Sequence, residues 1–239
     1  MNTMESQVLS LSNLENELVR TARETHGDVL DNAERIISFF NDAIILTDRP
    51  KGWIFMLYLS QLRANLSLMV LSTIRKHDIQ MLMMARQMLE ATSLACYALS
   101  QQEFAMNNCS SNSVKAVIQE MGSWKNKRYE WLDLEFPERS GNVKKLKGKM
   151  NLHYEHAGTF TAQNNLVVDD SGEMLVAFFD ERETGFVSRR LRLCASLALE
   201  ALGLIADVVE KYPGAVMLTA DFNQKYNSFS NATDQVLAS

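Results

Sequence analysis

Met81-Leu-Met-Met-Ala-Arg86-Gln-Met-Leu-Glu90-Ala-Thr-Ser-Leu-Ala-Cys-Tyr97 is the stretch on which the fold turns. It contains neither Gly nor Pro. Its polar residues Arg86, Glu90, Ser93 and Tyr97 recur at i, i+4, i+7 and i+11, the spacing of one face of an α-helix. Met83, Met84, Leu89, Leu94 and Leu99 occupy the flanking positions, so little of the helix is suited to water. A helix apolar nearly all round belongs inside an assembly of helices.

The surrounding sequence supplies that assembly. Asp78 is placed to cap this helix, which extends to about Met106. Upstream, Trp53 to Ile74 reads as a second apolar helix with a narrow polar stripe of Ser60, Arg63 and Ser67. Residues from Glu5 to Leu46 read as one or two acidic amphipathic helices through Leu14, Leu18, Ala22, Ile36, Phe40 and Ile44, with Gly27 as the break. Downstream, helices are expected over Ser113–Phe136, Val143–Tyr154 and Glu183–Lys211. A short C-terminal helix then carries Phe222, Tyr226 and Phe229 on one docking face. Pro50, Pro137 and Pro213 fall in loops between helices, since interior Pro costs about 3 kcal/mol in a helix. The exception to helix is Leu166–Phe179, where apolar runs flank Asp169-Asp170-Ser171-Gly172-Glu173, the pattern of a β-hairpin. The expected fold is all-α, a single bundle of about six to eight helices with one inserted short hairpin at about 166–179. Residues 1–239 read as one domain, with 215–239 as a C-terminal docking helix or tail.

Composition fits that picture. The chain has 239 residues, 46% of them apolar, with only ten Gly and three Pro, which favours long uninterrupted elements over a turn-rich β-domain. The net charge of −5 argues against attraction of the whole surface to nucleic acid or an anionic membrane. The start, MNTMESQVLS, has no basic or apolar leader region. The most apolar window, Met81 to Leu99, is interrupted by Arg86, Gln87 and Glu90, so no membrane helix is expected. Cys96, Cys109 and Cys194 are odd in number and widely spaced, forming neither a disulfide framework nor a zinc knuckle. The expectation is a cytoplasmic protein that self-associates as a dimer. Its contact would use the apolar surplus of the Trp53–Tyr97 helices, the Met cluster and the hairpin edges.

The Arg86–Glu90–Ser93–Tyr97 stripe is the first candidate site. Arg preceding Glu is the less favourable order for an exposed i,i+4 pair, and buried charges are costly unless paired. Partners must come from elsewhere, and Arg63 and the histidine segment are candidates. The stripe is either a polar pocket within the bundle or a structural ion pair fixing helix register. The second candidate is Asn151-Leu-His153-Tyr-Glu-His156-Ala-Gly158 at a helix end. Its two histidines could ligate a metal with help from distant carboxylates, or one could act alone. No second cluster has ligand spacing, so neither metal nor cofactor is expected. His77-Asp78 is similar to the pair of HD-type phosphohydrolases, but the remaining ligands are not at a convincing spacing. Lys144, Lys145, Lys147 and Lys149 read as a solvated basic face, and Arg189, Arg190 and Arg192 near a helix start suggest an acidic partner.

Two resemblances follow from these motifs. The Met81–Tyr97 run, with His153-Tyr-Glu-His156 downstream, resembles a group of bacterial helical-bundle proteins sharing an Arg-x-x-x-Glu helix and a later His. That likeness covers about residues 50–210 and implies an all-α bundle with Arg86, Glu90 and a His in proximity, without implying an activity. Arg20-Thr-Ala-Arg-Glu-Thr-His26 is similar in spacing to the Arg and His motif of the HEPN ribonucleases. Thr21 departs from the polar residue usual there, and the motif lies earlier than in that family. The function expected is a non-enzymatic binding or interaction protein with a polar pocket around Arg86 and Glu90, drawing on Arg63, Tyr97, His153 and His156. Its ligand would be a protein or a small molecule. The alternatives are a HEPN-like RNA-binding or RNA-cleaving protein, and a metal-dependent hydrolase using His153 and His156.

Overall fold

The computed structural model describes residues 7–109, 114–154, 166–168, 172, 174–176 and 185–238. Among these, eight helices run in chain order: α1 (Gln7–Asp42), α2 (Arg49–Ile74), α3 (Asp78–Ser100), α4 (Gln102–Asn108), α5 (Val114–Glu135), α6 (Pro137–Tyr154), α7 (Phe186–Lys211) and α8 (Phe222–Ala238). Four short strands join them: β1 (Ile44–Leu46), β2 (Leu166–Val168), β3 (Met174–Val176) and β4 (Val216–Leu218). The all-α bundle with an inserted hairpin is therefore the architecture. β2 and β3 pair antiparallel, Leu166 opposite Val176.

α3 holds the centre because its sequence is nearly apolar and rich in small residues. Ala85, Ala91, Ala95 and Ala98 are all buried and let neighbouring helices approach. α2 pairs along it extensively, α7 packs against both, and α5 and α6 lie against α3 as well. α1 runs along α7 and α2. Its 36 residues bend at Gly27, whose φ of +41° is costly for any residue with a Cβ. The core is carried by fully buried Phe40, Phe55, Ile54, Leu59, Leu62, Met69, Met81, Met88 and Leu99. At the C-terminus, Phe222 and Phe229 both meet Phe39 of α1, with ring centroids 5.5 and 5.4 Å apart.

Several expectations need correction. Pro50 does not lie in a loop: it occupies the first turn of α2, where its missing N–H is no loss, and Asp48 accepts from Lys51 N at 3.1 Å as the cap. Pro137 likewise opens α6. Asp78 is not the cap of α3. His77 is, without a side-chain bond, and the Asp78 carboxylate reaches Arg190 instead. The helix expected to reach Met106 breaks at Gln101, so α4 is separate. Residues 44–46 are strand, not helix. They pair antiparallel with 216–218, Ile44 opposite Leu218, and the Ala215 carbonyl beside them accepts from Thr47 N and Asp48 N. α2 is long and apolar enough to cross a bilayer by length and composition, which the Met81–Leu99 window had obscured; 44% of its most apolar window is buried in the bundle.

Candidate functional site

Arg86 and Glu90 stand one turn apart on α3, Nε to Oε1 3.5 Å, on the side that meets α5 and α6. Two further cations reach the same carboxylate. Lys147 of α6 places Nζ 3.0 Å from Oε1, and Arg128 of α5 places Nη2 3.8 Å from Oε2. Tyr129, next to Arg128, completes the group. Its phenol oxygen accepts from Lys147 Nζ at 2.5 Å and from Arg128 Nη2 at 3.2 Å. Arg128 Cζ and Lys147 Nζ also lie 4.6 and 4.7 Å from the Tyr129 ring centroid, within cation–π range.

The helices present these groups for a local reason. Trp124, Arg128 and Leu132 are spaced at i, i+4 and i+8 and all three are buried, so Arg128 sits within the apolar stripe of α5. On α6, Val143 and Met150 are buried, and Lys147 lies on their side of the helix. The result has a floor and a rim. Arg128 is 3% exposed, while Lys147, Arg86 and Glu90 have side chains 17, 29 and 32% exposed. Burial pushes the Glu90 carboxyl up, but the Lys147 hydrogen bond and the Lys147, Arg128 and Arg86 charges outweigh it and leave the group below its ordinary value. Burial likewise raises the Tyr129 phenol, and the hydrogen bonds from Lys147 and Arg128, with their charges, bring it below the usual tyrosine range.

Of the six residues expected to share a pocket, the structure joins two. Tyr97 lies on the same face of α3 as Glu90 but belongs to an aromatic wall. It packs edge-on against Trp124 and Trp131, centroids 5.2 and 5.6 Å away. Arg63 is elsewhere. Its Nη2 donates to the Asn41 carbonyl at 2.5 Å, closing the end of α1. His153 falls in the last turn of α6, but its side chain and the whole of His156 lie outside the described residues. The partners sequence reading missed are Arg128 and Lys147. The lysine segment is not the uniform solvated face expected: Lys144 pairs with Asp133 at the surface, whereas Lys147 turns inward to Glu90.

The other motifs resolve into ion pairs. Arg20 is exposed and paired with Glu17 at 2.6 Å. His77 Nε2 lies 2.8 Å from Glu15, while Asp78 and Arg190 form a two-point contact of 2.6 and 2.8 Å, so the His77-Asp78 dipeptide divides between two partners. Arg190 thus finds its acidic partner within the fold. Among the described residues, no group of three or more His, Cys, Asp and Glu could hold a metal. The chain matches no protein-family model, no curated protein and no solved structure.

Proposed function

We propose that this chain is a non-enzymatic binding protein whose site is the cation cluster shared by α3, α5 and α6, and that the ligand is a small anion. The observation that supports this is Arg128. It is 3% exposed, its Nε is buried with no acceptor, and its single hydrogen bond goes to Tyr129. A buried guanidinium N–H without an acceptor costs free energy until one arrives. Lys147 beside it leaves the pair with more positive charge than Glu90 supplies in return. An anion entering past the partly exposed rim engages those donors and lowers that cost.

The test is thermal unfolding of the full chain in buffers that differ only in anion. Saturation at about ten times Kd adds roughly 1.4 kcal/mol, or about 3 °C for a chain of this size. The stabilisation is expected to fall by about half or more in Lys147→Met and to persist in Lys144→Met, because Lys144 pairs with Asp133 at the surface. Equal stabilisation of both variants refutes the site.

A further inference from the structure

We infer that the anion taken by this site is the phosphate monoester of a small molecule. The inference rests on the anion-binding reading above and adds the ligand's chemical class. It follows from counting donors and acceptors. Arg128 has five N–H groups, of which one is engaged, by the Tyr129 oxygen. Lys147 has three, of which two are engaged, by Glu90 and Tyr129. The Tyr129 oxygen accepts from both neighbours, so its own O–H still needs an acceptor. The three side chains converge, and what they offer one another's neighbourhood is donors, with Glu90 as the carboxylate that meets them among the described residues.

That balance discriminates between ligands. A further cation is disfavoured, because Arg86, Arg128 and Lys147 already surround Glu90. A carboxylate would repeat what Glu90 already supplies: Lys147 at 3.0 Å and Arg86 at 3.5 Å hold one oxygen, and Arg128 stands 3.8 Å from the other. Its two coplanar oxygens meet the Arg128 fork but leave Lys147 or Tyr129 without an acceptor. A phosphate monoester presents three terminal oxygens in a tetrahedral arrangement, one for each of Arg128, Lys147 and Tyr129, and Arg and Lys are established partners of phosphate. A phosphodiester within a nucleic-acid chain has two free oxygens and an ester arm on either side. A terminal group is the form that reaches a guanidinium at the floor of the cluster.

The experiment is isothermal titration of the full chain with methyl phosphate, inorganic phosphate, acetate and a short single-stranded oligouridylate at one ionic strength. Methyl phosphate is expected to bind at least about tenfold more tightly than acetate, with Lys147→Met and Tyr129→Phe each weakening it several-fold. Lys144→Met is expected to bind as the unmodified chain does. Arg128→Gln is informative only if it folds, and Lys147→Met and Tyr129→Phe keep the test decisive without it. Acetate binding as tightly as methyl phosphate overturns the monoester inference while leaving an anion site. Binding of inorganic phosphate without methyl phosphate overturns it too, because no ester arm is then accommodated. Tighter binding of the oligouridylate assigns the cluster to RNA and overturns it. Absence of saturable binding for every anion refutes the underlying reading as well.

Discussion

Replacing Asp78 by Asn tests whether charge buried between α3 and α7 holds the bundle together. Asp78 has a side chain 1% exposed and meets Arg190 Nε at 2.6 Å and Nη2 at 2.8 Å. Removing one partner of a buried pair typically costs about 3–5 kcal/mol, because the other charge is left uncompensated. Asn keeps one acceptor oxygen, and the Arg190 side chain is 21% exposed so that water reaches it. Both place the cost near the lower end, about 3 kcal/mol. A chain of 239 residues unfolds with an entropy of about 0.5 kcal/mol/K. The expected loss is therefore about 6 °C in Tm, read by far-ultraviolet circular dichroism, with a matching fall in the urea midpoint. Glu17→Gln is the control, since Glu17 and Arg20 are an exposed pair, and exposed pairs contribute little. Asp78→Leu combined with Arg190→Met, an apolar pair of similar volume, is expected to recover most of the loss. If Asp78→Asn shifts Tm no more than Glu17→Gln does, the contact does not matter to stability and the reasoning fails.

Three further outcomes follow from the same structure. Glu90 has a folded-state pKa below its ordinary 4.5, so its pairing stabilises the fold above that value and is lost as pH falls through the lowered one. The stability gap between the unmodified chain and Glu90→Gln should be full above the ordinary 4.5 and close as pH falls through the lowered value, and a gap constant from neutral pH downward in urea titrations contradicts the pairing. Burial pushes the Cys96 thiol up and the Cys194 thiol up to about 12, while Cys109 is exposed. A disulfide reagent should therefore modify one thiol in the native protein and three in denaturant, and fast native modification of two or more argues against the packing of α3 and α7. Gly52 opens onto Leu46 and Ala215: a Cβ there falls 2.4 Å from Leu46 Cδ1 and 3.3 Å from the Ala215 carbonyl oxygen. Leu46 can yield, but that oxygen is fixed by Thr47 N and Asp48 N, so Gly52→Val should cost about 1–3 kcal/mol. Stabilisation instead, as expected for Gly replaced in an open helix, would remove the close contact.

The helices were legible because their periods are strong over long runs. Gly27 was found for a related reason, as a Gly that interrupts an amphipathic pattern, and the bend there has a φ of +41°. The errors have physical causes. Pro50 and Pro137 were taken as loop residues because Pro breaks a helix interior, yet the first turn has no bond for it to remove. Asp78 has the residue type of a cap, but its carboxylate was drawn to a guanidinium on another helix, and no local pattern reveals that. The β1–β4 pair was invisible because each strand has three residues and its partner lies at the opposite end of the chain. Ile44-Ile45-Leu46 continues the apolar content of α1, and only the pairing with Val216–Leu218 makes it strand.

The candidate site was half legible, and the missing half was written in a neighbouring period. The stripe on α3 identified Arg86 and Glu90 because polar residues stand out on an apolar helix. Arg128 drew no notice on α5, where polar residues are common, although Trp124 and Leu132 stand four residues on either side of it. Arg190 has Phe186 and Cys194 in the same relation, and Glu15 has Leu11 and Val19. In a helix those positions share a face, so a charge flanked in this way points where its apolar neighbours point. Where that face is covered, such a charge is stabilised by a partner from another element. Arg128 meets Glu90 and Tyr129, Arg190 meets Asp78, and Glu15 meets His77 and Arg75. In the latter two contacts a carboxylate and its cations face one another. At Arg128 the described side chains supply more donors than acceptors, and the proposed anion site rests on that imbalance.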